Sequence, residues 1–117
     1  MRIAHIAFDS SDALSLAAFW AEVMGWGVSP ESTAAFAVVG GPNRPAGTPA
    51  ILINQVPEEK VAKNRMHIDL EADDLAAETE RLLELGARHI HDKFEYETRW
   101  TTFADPEGNE FCVVQKS

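Results

Sequence analysis

The chain places two histidines, His5 and His67, at equivalent positions of a phrase that it uses twice. Residues 5–12 read HIAFDSSD and residues 67–74 read HIDLEADD; in both copies isoleucine follows histidine, and aspartate stands seven residues after it. A neutral imidazole on a strand can ligate a divalent metal or line a pocket, and it can equally be a structural residue with a local partner. The repeat indicates one supersecondary unit used twice, and hence two fused half-domains.

Two further residues that could do chemistry, Glu110 and Cys112, lie near the end of the chain. They are two positions apart in a strand predicted for residues 110–115, so their side chains should share one face at a spacing of about 7 Å. A carboxylate there is either a general base or simply a charge at the rim of a site. A reduced thiol there is either a ligand for a metal such as zinc or a small buried hydrophobe.

Apolar side chains alternate with each histidine along its strand. Ile6 follows His5, and Ile68 and Leu70 alternate with His67. Because successive side chains of a strand project to opposite faces, burial of the apolar set under a helix leaves both histidines on the other face. We therefore expect the two histidines to face one cavity on equivalent strands.

Each histidine strand leads into an amphipathic run that predicts a helix. The first helix should span residues 12–24 and the second residues 73–85. Aspartates at both starts can accept hydrogen bonds from free helix amides, and Gly25 and Gly86 are natural stops. The apolar stripe of the first helix, which includes Trp20, is predicted to be core.

Strand-like runs follow each helix, so the order strand, helix, three strands occurs twice. The predicted strands cover residues 2–8, 26–28, 34–39, 50–56, 66–71, 88–91, 99–104 and 110–115. The polar stretch 57–64 joins module one, residues 1–56, to module two, residues 65–117. We expect the whole chain, 1–117, to be a single domain.

Several polar stretches have interpretations that the sequence leaves open. Residues 40–49 contain three glycines and three prolines, which excludes regular structure, and they form either the mouth of a site or a solvated hairpin loop. Lys60, Lys63 and Arg65 belong either to a solvated linker or to an anchor for an anionic group of a ligand or partner. The two histidines of strand 88–91 are interpreted as surface residues, and the charged stretch that follows them is ambiguous.

Length and composition restrict the class of protein. A chain of 117 residues with 45% hydrophobic content has the size of one domain and can bury a core. The formal net charge of −9 disfavours nucleic-acid and membrane partners, and it either serves solubility or draws in a cationic ligand. The N-terminus lacks a signal-peptide pattern, no apolar run reaches membrane-spanning length, and a single cysteine excludes an internal disulfide, so we expect a soluble cytoplasmic protein.

Four segments in this chain, taken in order, resemble the vicinal oxygen chelate superfamily and cover most of the sequence. They read HIAFDSSDALSLAAFWAEVMGW, VPEEKVAKNRMHIDL, RLLELGA and WTTFADPEGNEFCVVQ. The superfamily includes glyoxalase I, extradiol dioxygenases, fosfomycin-resistance proteins and bleomycin-binding proteins, and the details are most similar to its small bacterial glyoxalase-like domain proteins. The resemblance is specific for the fold and much less so for function, because this fold hosts several chemistries.

The resemblance implies an α+β fold in which two βαβββ modules form a cup-shaped mixed sheet with helices on its outer face. It also implies a homodimer, because this architecture commonly covers its sheet edges and apolar surface by pairing. In metal-dependent members, the first and last strands of each module supply four ligands to a divalent metal inside the cup. Here that metal would be zinc, nickel, manganese or iron.

His5, His67 and Glu110 are the metal ligands that the resemblance suggests. In the metal enzymes the second carboxylate usually lies four residues after the turn glycine, and counting from the glycine of DPEGN that position holds Cys112. The corresponding strand of module one, ILINQV, has no carboxylate, and Asn54 is the polar residue that aligns there. The predicted metal site is therefore degenerate, and metal binding is left open.

Functions of different classes are compatible with this pattern. The first is a small-molecule binding protein with a degenerate metal site that sequesters a cationic or aromatic ligand. Its pocket walls would comprise His5, Asn54, His67, Trp100, Phe103 and Cys112. The alternative is a metal-dependent lyase or isomerase of the glyoxalase I kind, in which Glu110 is the catalytic base. A regulatory module without a ligand is a third interpretation, which nothing in the sequence supports directly.

Overall fold

Both aspartates of the repeated phrase cap a helix in the computed structural model, which describes residues 1–41 and 43–117. Asp12 accepts a hydrogen bond from the amide of Ser15 at 3.2 Å, and Asp74 accepts one from the amide of Ala77 at 3.0 Å. The helices are α1, Ala13–Met24, and α2, Leu75–Leu85. They begin one and two residues later than predicted, because the capping residues Asp12 and Asp74 keep an extended backbone and the helices start only after them.

Gly25 and Gly86 end these helices, as predicted. Both adopt the left-handed backbone conformation, with φ of 70° and 108°. A residue with a Cβ is strained in that region, whereas glycine is not. The Gly25 amide donates to the carbonyl of Ala21, which satisfies a carbonyl at the helix end.

The first unit, Met1–Glu59, packs α1 against a mixed sheet. Its strands, in the order β1-β3-β2, are β1, His5–Ser10, β2, Phe36–Val39, and β3, Ala50–Gln55. β1 runs parallel to β3, and β2 pairs antiparallel with it. The strand predicted for residues 26–28 is wrong: an isolated bridge joins Val28 to Val39 there. The neighbouring Gly27 explains this, because glycine weakens a strand.

The core of the first unit lies between α1 and its sheet. Leu16 and Trp20 of α1 are 2% and 1% exposed, and the rings of Phe8 and Trp20 lie 5.1 Å apart. Phe8 therefore points towards the helix, whereas His5 and Ala7 alternate with it and are exposed. The predicted division of β1 into an apolar face and a histidine face is confirmed.

The loop at residues 40–49 contains no helix or strand in its described part, as predicted. Pro42 lies outside the described residues. Arg44 donates from Nη1 to the carbonyl of Thr48 at 3.0 Å, which ties the loop to itself.

The second unit, Lys60–Ser117, packs α2 against a mixed sheet of order β4-β7-β6-β5. Its strands are β4, Ile68–Ala72, β5, Arg88–Glu95, β6, Thr98–Ala104, and β7, Glu110–Gln115. β4 runs parallel to β7, and the other neighbouring strands are antiparallel. The strand predicted for residues 110–115 is confirmed at both ends, whereas β5 continues beyond its predicted end at residue 91.

The charged stretch that the sequence left ambiguous belongs to a β-hairpin. β5 and β6 meet at Tyr96 and Glu97, whose φ values of 53° and 60° fit the tight two-residue turns of hairpins. A bulge between His89 and His91 shifts the register, so that His89 pairs with Phe103 while His91 pairs with the preceding residue of β6. Both histidines are exposed, as predicted, but they project from opposite faces.

Aromatic packing forms the core of the second unit. Phe103 and Phe111 are 0% and 1% exposed, and their rings stack with centroids 5.6 Å apart. Leu82 of α2 is 1% exposed. The turn between β6 and β7 is held by the buried carboxylate of Asp105, which accepts hydrogen bonds from the amides of two following residues at 2.9 Å. This turn sets the register that places β7 beside β6.

The two helices and two mixed sheets make an α+β fold, which confirms the predicted class. The boundary between the units falls after Glu59, inside the junction predicted for residues 57–64. Their joining into one domain stays a prediction. Among the helices of the described residues, none has the length and apolar character needed to cross a membrane.

Candidate functional site

One face of the second sheet carries a row of side chains that crosses all four strands. Asp69 on β4 lies opposite Cys112 on β7, Cys112 opposite Thr102 on β6, and Thr102 opposite His91 on β5. Residues paired in register project from the same face of a sheet. The fully buried Phe103 alternates with Thr102 and belongs to the side that α2 covers. The row therefore lies on the face away from α2.

This face lines an open cavity of about 540 Å³ within the second unit. Besides the row, the lining includes aromatic and charged side chains: Lys63, His67, Glu95, Tyr96, Trp100 and Glu110. Small-molecule sites commonly have volumes of about 300–1,000 Å³ and combine apolar walls with a few polar groups. The cavity has the size and the mixed lining of such a site.

His67, Asp69 and Cys112 form a compact cluster in this cavity. His67 Nδ1 lies 2.7 Å from Asp69 Oδ1, and one ligating atom from each of the three residues lies within 4.8 Å of the others. The side chains of His67 and Asp69 are 44% and 56% exposed, whereas Cys112 is 7% exposed. Imidazole nitrogen, carboxylate oxygen and thiolate sulfur all ligate zinc, so the donor set is suited to holding a metal.

The Cys112 thiol is buried beside a hydroxyl group. Its Sγ lies 3.3 Å from Thr102 Oγ1, which in turn lies 3.4 Å from His91 Nε2. Burial raises the pKa of Cys112 above its ordinary value, with a smaller opposing effect from the Thr102 hydroxyl. The thiolate is the nucleophilic form of cysteine, so this environment disfavours covalent catalysis by Cys112 at neutral pH.

Glu110 lines the same cavity, but its carboxylate is occupied by other partners. Lys63 Nζ donates to Oε2 at 2.7 Å, the amide of Asn64 donates to Oε1 at 3.3 Å, and Lys60 Nζ lies 3.7 Å from Oε1. The hydrogen bond from Lys63 is the main cause that lowers the pKa of Glu110, and burial opposes it. An ion-paired carboxylate of lowered pKa is a weak base. Among the described residues, Glu110 also lies outside the cluster of His67, Asp69 and Cys112.

His5 and Asn54 share the face of the first sheet that points away from α1, but they are not neighbours. His5 pairs with Ala50, whereas Asn54 pairs with Asp9 at the other end of the same strands. Four residues along a strand correspond to about 13 Å. The register therefore does not support Asn54 as a ligand beside His5, and a role for His5 in the pocket stays a prediction.

The prediction that Phe103 lines the pocket is wrong. Its side chain is 0% exposed and stacks on Phe111 in the core. Trp100, by contrast, is half-buried and lines the cavity. The two residues are an odd number of positions apart on β6, and strand alternation puts such residues on opposite faces.

Three residues of the site, Asp69, Thr102 and His91, were not singled out from the sequence. Asp69 follows His67 by two positions on a strand, and that spacing alone places both on one face. The contact between His91 and Thr102 depends on the bulge in β5. No residue type in that strand marks the bulge, so this contact could not be predicted from the residues.

Two mixed sheets, each packed on one helix and each with a histidine at or beside the start of its first strand, define the glyoxalase and bleomycin-resistance type of fold. The sequence matches the Glyoxalase-like domain family over residues 5–114, and the chain belongs to that family. This confirms the superfamily that the sequence segments suggested. No curated protein matches the sequence significantly.

Solved structures of distant relatives share the fold. A glyoxalase/bleomycin resistance protein/dioxygenase family enzyme from Burkholderia phytofirmans is 16% identical over 96% of both chains, with a TM-score of 0.78. The fosfomycin resistance protein FosX from Listeria monocytogenes, solved with Mn(II) and dihydroxypropylphosphonic acid, is 16% identical over 99% of this chain and 90% of that chain, with a TM-score of 0.79. The bleomycin resistance determinant encoded on transposon Tn5 is 18% identical over 100% of this chain and 99% of that chain, with a TM-score of 0.68. Identities this low establish the fold alone.

Proposed function

We propose that this protein binds and sequesters a small cationic or aromatic molecule in the cavity of its second unit. One observation carries the proposal: Trp100 and Tyr96 lie in the same lining as the carboxylates of Asp69 and Glu95. Lys63, the lysine of that lining, is already paired with a carboxylate at 2.7 Å. An aromatic cation in this cavity could therefore contact the rings of Trp100 and Tyr96 and interact with the negative charge of the carboxylates.

The charge of the whole chain supports the same ligand class. A formal net charge of −9 gives the protein a field that attracts cations and repels anions. Each cation held over an aromatic ring gains about 0.5–2 kcal/mol, the larger value where water is excluded. Trp100 is half-buried in β6, so its ring is held in place before a ligand arrives.

The alternative function, a metal-dependent lyase or isomerase, requires a carboxylate that takes a proton from the substrate. Glu110 is the carboxylate assigned to that role, and Lys63 holds it as an ion pair of lowered pKa. Removing a proton from a carbon acid is harder for a weaker base. The observation in favour of this alternative is the cluster of His67, Asp69 and Cys112, which can hold a metal. The binding function is the better supported of the two.

Fluorescence titration with proflavine, a planar aromatic cation, tests the binding function. The anionic dye anilinonaphthalene sulfonate is the control of opposite charge. We expect proflavine to bind saturably at one site. Trp100→Ala, and the double change Asp69→Asn with Glu95→Gln, should each weaken its affinity about tenfold or more. A tenfold weakening corresponds to a loss of about 1.4 kcal/mol in binding free energy. Glu84→Gln, on the exposed side of α2, removes the same kind of charge outside the cavity and should leave affinity unchanged.

Two results would contradict the binding function. Equal weakening by Glu84→Gln and by the cavity changes would mean that proflavine responds to overall charge rather than to a site. Tighter binding of the anionic dye at the same cavity would reverse the proposed ligand class.

Homodimer formation and a cytoplasmic location complete the proposal. Large apolar side chains are exposed on the chain, among them Ile3 at 74% and Phe94 at 66%, and a partner subunit would cover such surface. Phe94 lies on β5, an edge strand of the second sheet, and exposed edges favour pairing. The free thiol of Cys112 suits a reducing compartment.

A further inference from the structure

The cluster of His67, Asp69 and Cys112 brings three kinds of donor atom together inside one unit. From this juxtaposition we infer that the three residues form a metal site selective for zinc-like ions. The site lies wholly within Lys60–Ser117. It differs from the ligand set expected from the sequence, His5, His67 and Glu110, in two of its three members.

The strand pairing holds the ligands in position. Asp69 and Cys112 are partners in the parallel register of β4 with β7, and His67 stands two positions before Asp69 on the same face. The ligating atoms are already within 4.8 Å of one another. Closing on a zinc ion at about 2.0–2.3 Å then requires rotation of side chains rather than movement of strands.

The cluster leaves one coordination position open. Zinc is usually four-coordinate, and sites with three protein ligands complete the set with water or with a ligand. The side chains of His67 and Asp69 line the cavity and are 44% and 56% exposed, so solvent reaches the site. Such a position could accept a donor atom of a molecule bound in the cavity.

The sulfur ligand determines which ion is preferred. Thiolate is a soft donor that favours zinc and cobalt over manganese or magnesium, which prefer oxygen ligands. As the bond from sulfur to the ion forms, the S–H bond of Cys112 breaks and the proton passes to solvent. The ion keeps its oxidation state throughout, so no oxidant or reductant is needed.

Neighbouring groups would hold the ligands in orientation. Thr102 is 6% exposed, and its Oγ1 lies 3.3 Å from Cys112 Sγ and 3.4 Å from His91 Nε2. Hydrogen bonds of this kind orient metal ligands, and their loss typically weakens affinity about 10–100-fold. Glu110 is excluded from the set because Lys63 and the amide of Asn64 take its two oxygens.

This inference goes beyond the proposed binding function, because an aromatic cation needs no metal to bind in the cavity. The two can fail separately. Protein treated with a chelator should still bind proflavine if the first proposal holds, whatever the outcome of metal titration.

Cobalt(II) titration of chelator-treated protein tests the metal site directly. Cys112 is the single cysteine of the chain, so a charge-transfer absorption band from thiolate to cobalt reports this residue without any substitution. We expect the band to saturate at one equivalent and to disappear when zinc displaces cobalt. Displacing cobalt should require at least about tenfold more manganese(II) than zinc, because sulfur is a soft donor that manganese binds weakly.

Variants identify the other ligands. Cys112→Ser should abolish the band, and His67→Gln and Asp69→Asn should each weaken cobalt affinity about tenfold or more. Glu84→Gln is the matched charge control and should leave the titration unchanged. Circular dichroism of each variant separates loss of a ligand from loss of the fold.

The site assignment fails under either of two results. A wild-type protein that shows no thiolate band with excess cobalt has no site at Cys112. A titration that survives Asp69→Asn but is lost in Glu110→Gln would place the carboxylate ligand at Glu110 and overturn the assignment.

Discussion

Asp69 lies directly opposite Cys112 in the parallel pairing of β4 with β7. The pairing brings a carboxylate from the repeated histidine phrase to the thiol of the last strand, in one cavity lining. Each residue alone has an ordinary structural explanation, as a surface acid and as a buried thiol. Together with His67 they bring an imidazole, a carboxylate and a thiol within 4.8 Å of one another on this face.

His67→Ala should leave the free energy of unfolding within about 0.5 kcal/mol of the wild-type value. The reason is that the His67 side chain is 44% exposed on the sheet face away from α2. Leu82→Ala, at a position 1% exposed in the core, is the contrast and should cost about 2–5 kcal/mol. Urea unfolding measures both. A loss for His67→Ala as large as that for Leu82→Ala would show that the histidine is structural.

Trp100 and Phe103 should respond in opposite ways to substitution. Trp100→Ala removes a cavity wall and should weaken proflavine binding while the protein remains folded. Phe103→Leu, a change in the core, should lower the free energy of unfolding by roughly 1–2 kcal/mol while affinity stays near that of the wild type. Titration and urea unfolding of both variants check this pair. Retained affinity in Trp100→Ala together with lost affinity in folded Phe103→Leu would contradict the assignment of faces.

Asp92 should contribute a pH-dependent part of stability on the helix side of the second sheet. Thr101 Oγ1 donates to Asp92 Oδ1 at 2.7 Å, and His89 Nε2 lies 3.1 Å from the same oxygen. These hydrogen bonds lower the pKa of Asp92 from its ordinary 3.8, with that of Thr101 the larger. Because the pKa of Asp92 is lower in the folded protein than in the unfolded chain, its ionised carboxylate stabilises the fold fully at pH values above 3.8. This stabilisation is lost as the pH falls through the lowered pKa of the folded protein.

Urea unfolding between pH 6 and about 2.5 measures this effect. Asp92→Asn should flatten the fall in stability at the acidic end, because that position no longer takes up a proton. Asp73→Asn is the matched control, since the side chain of Asp73 is 90% exposed. Identical pH profiles for the wild type and Asp92→Asn would show that the hydrogen bonds to Asp92 do not shift its titration.

The helices and the last strand could be predicted from the sequence because local chemistry determines them. Asp12 and Asp74 cap the helices, and Gly25 and Gly86 end them in left-handed conformations. A short apolar run after the polar turn at residues 105–109 predicts β7. The predicted strand ends at residue 91, short of the end of β5, because the charged second half of β5 has no apolar alternation. Its pairing with β6 supplies the hydrogen bonds that make it a strand.

The site was less predictable because it depends on contacts between distant parts of the chain. Strand parity led to the proposals for His67 and Cys112, whereas Trp100 and Phe103 were both named as pocket walls without it. Applied to β6, the same rule puts these two residues on opposite faces. The ion pair between Lys63 and Glu110 depends on where the linker meets β7. No spacing in the sequence encodes that contact, so Glu110 was assigned a role as base and ligand that its partners oppose.

Light scattering should give a mass twice the 12.9 kDa of one chain at micromolar concentration. The expectation is based on the exposed apolar side chains and on the free edge of β5. Phe94→Glu, which places a charge on that edge, should shift the mass towards one chain. A single species of 12.9 kDa for the wild type would contradict the homodimer.

Ligand binding in the cavity of the second unit can be tested by a proflavine titration that follows the indole N–H signals of the three tryptophans in an NMR spectrum. Trp100 lines the cavity, whereas Trp20 is 1% exposed in the core of the first unit and serves as the internal reference. We expect the Trp100 signal to shift and to saturate with one equivalent of ligand, while the Trp20 signal stays in place. A saturating titration in which the Trp100 signal does not move would place the ligand outside this cavity and contradict the proposed binding site.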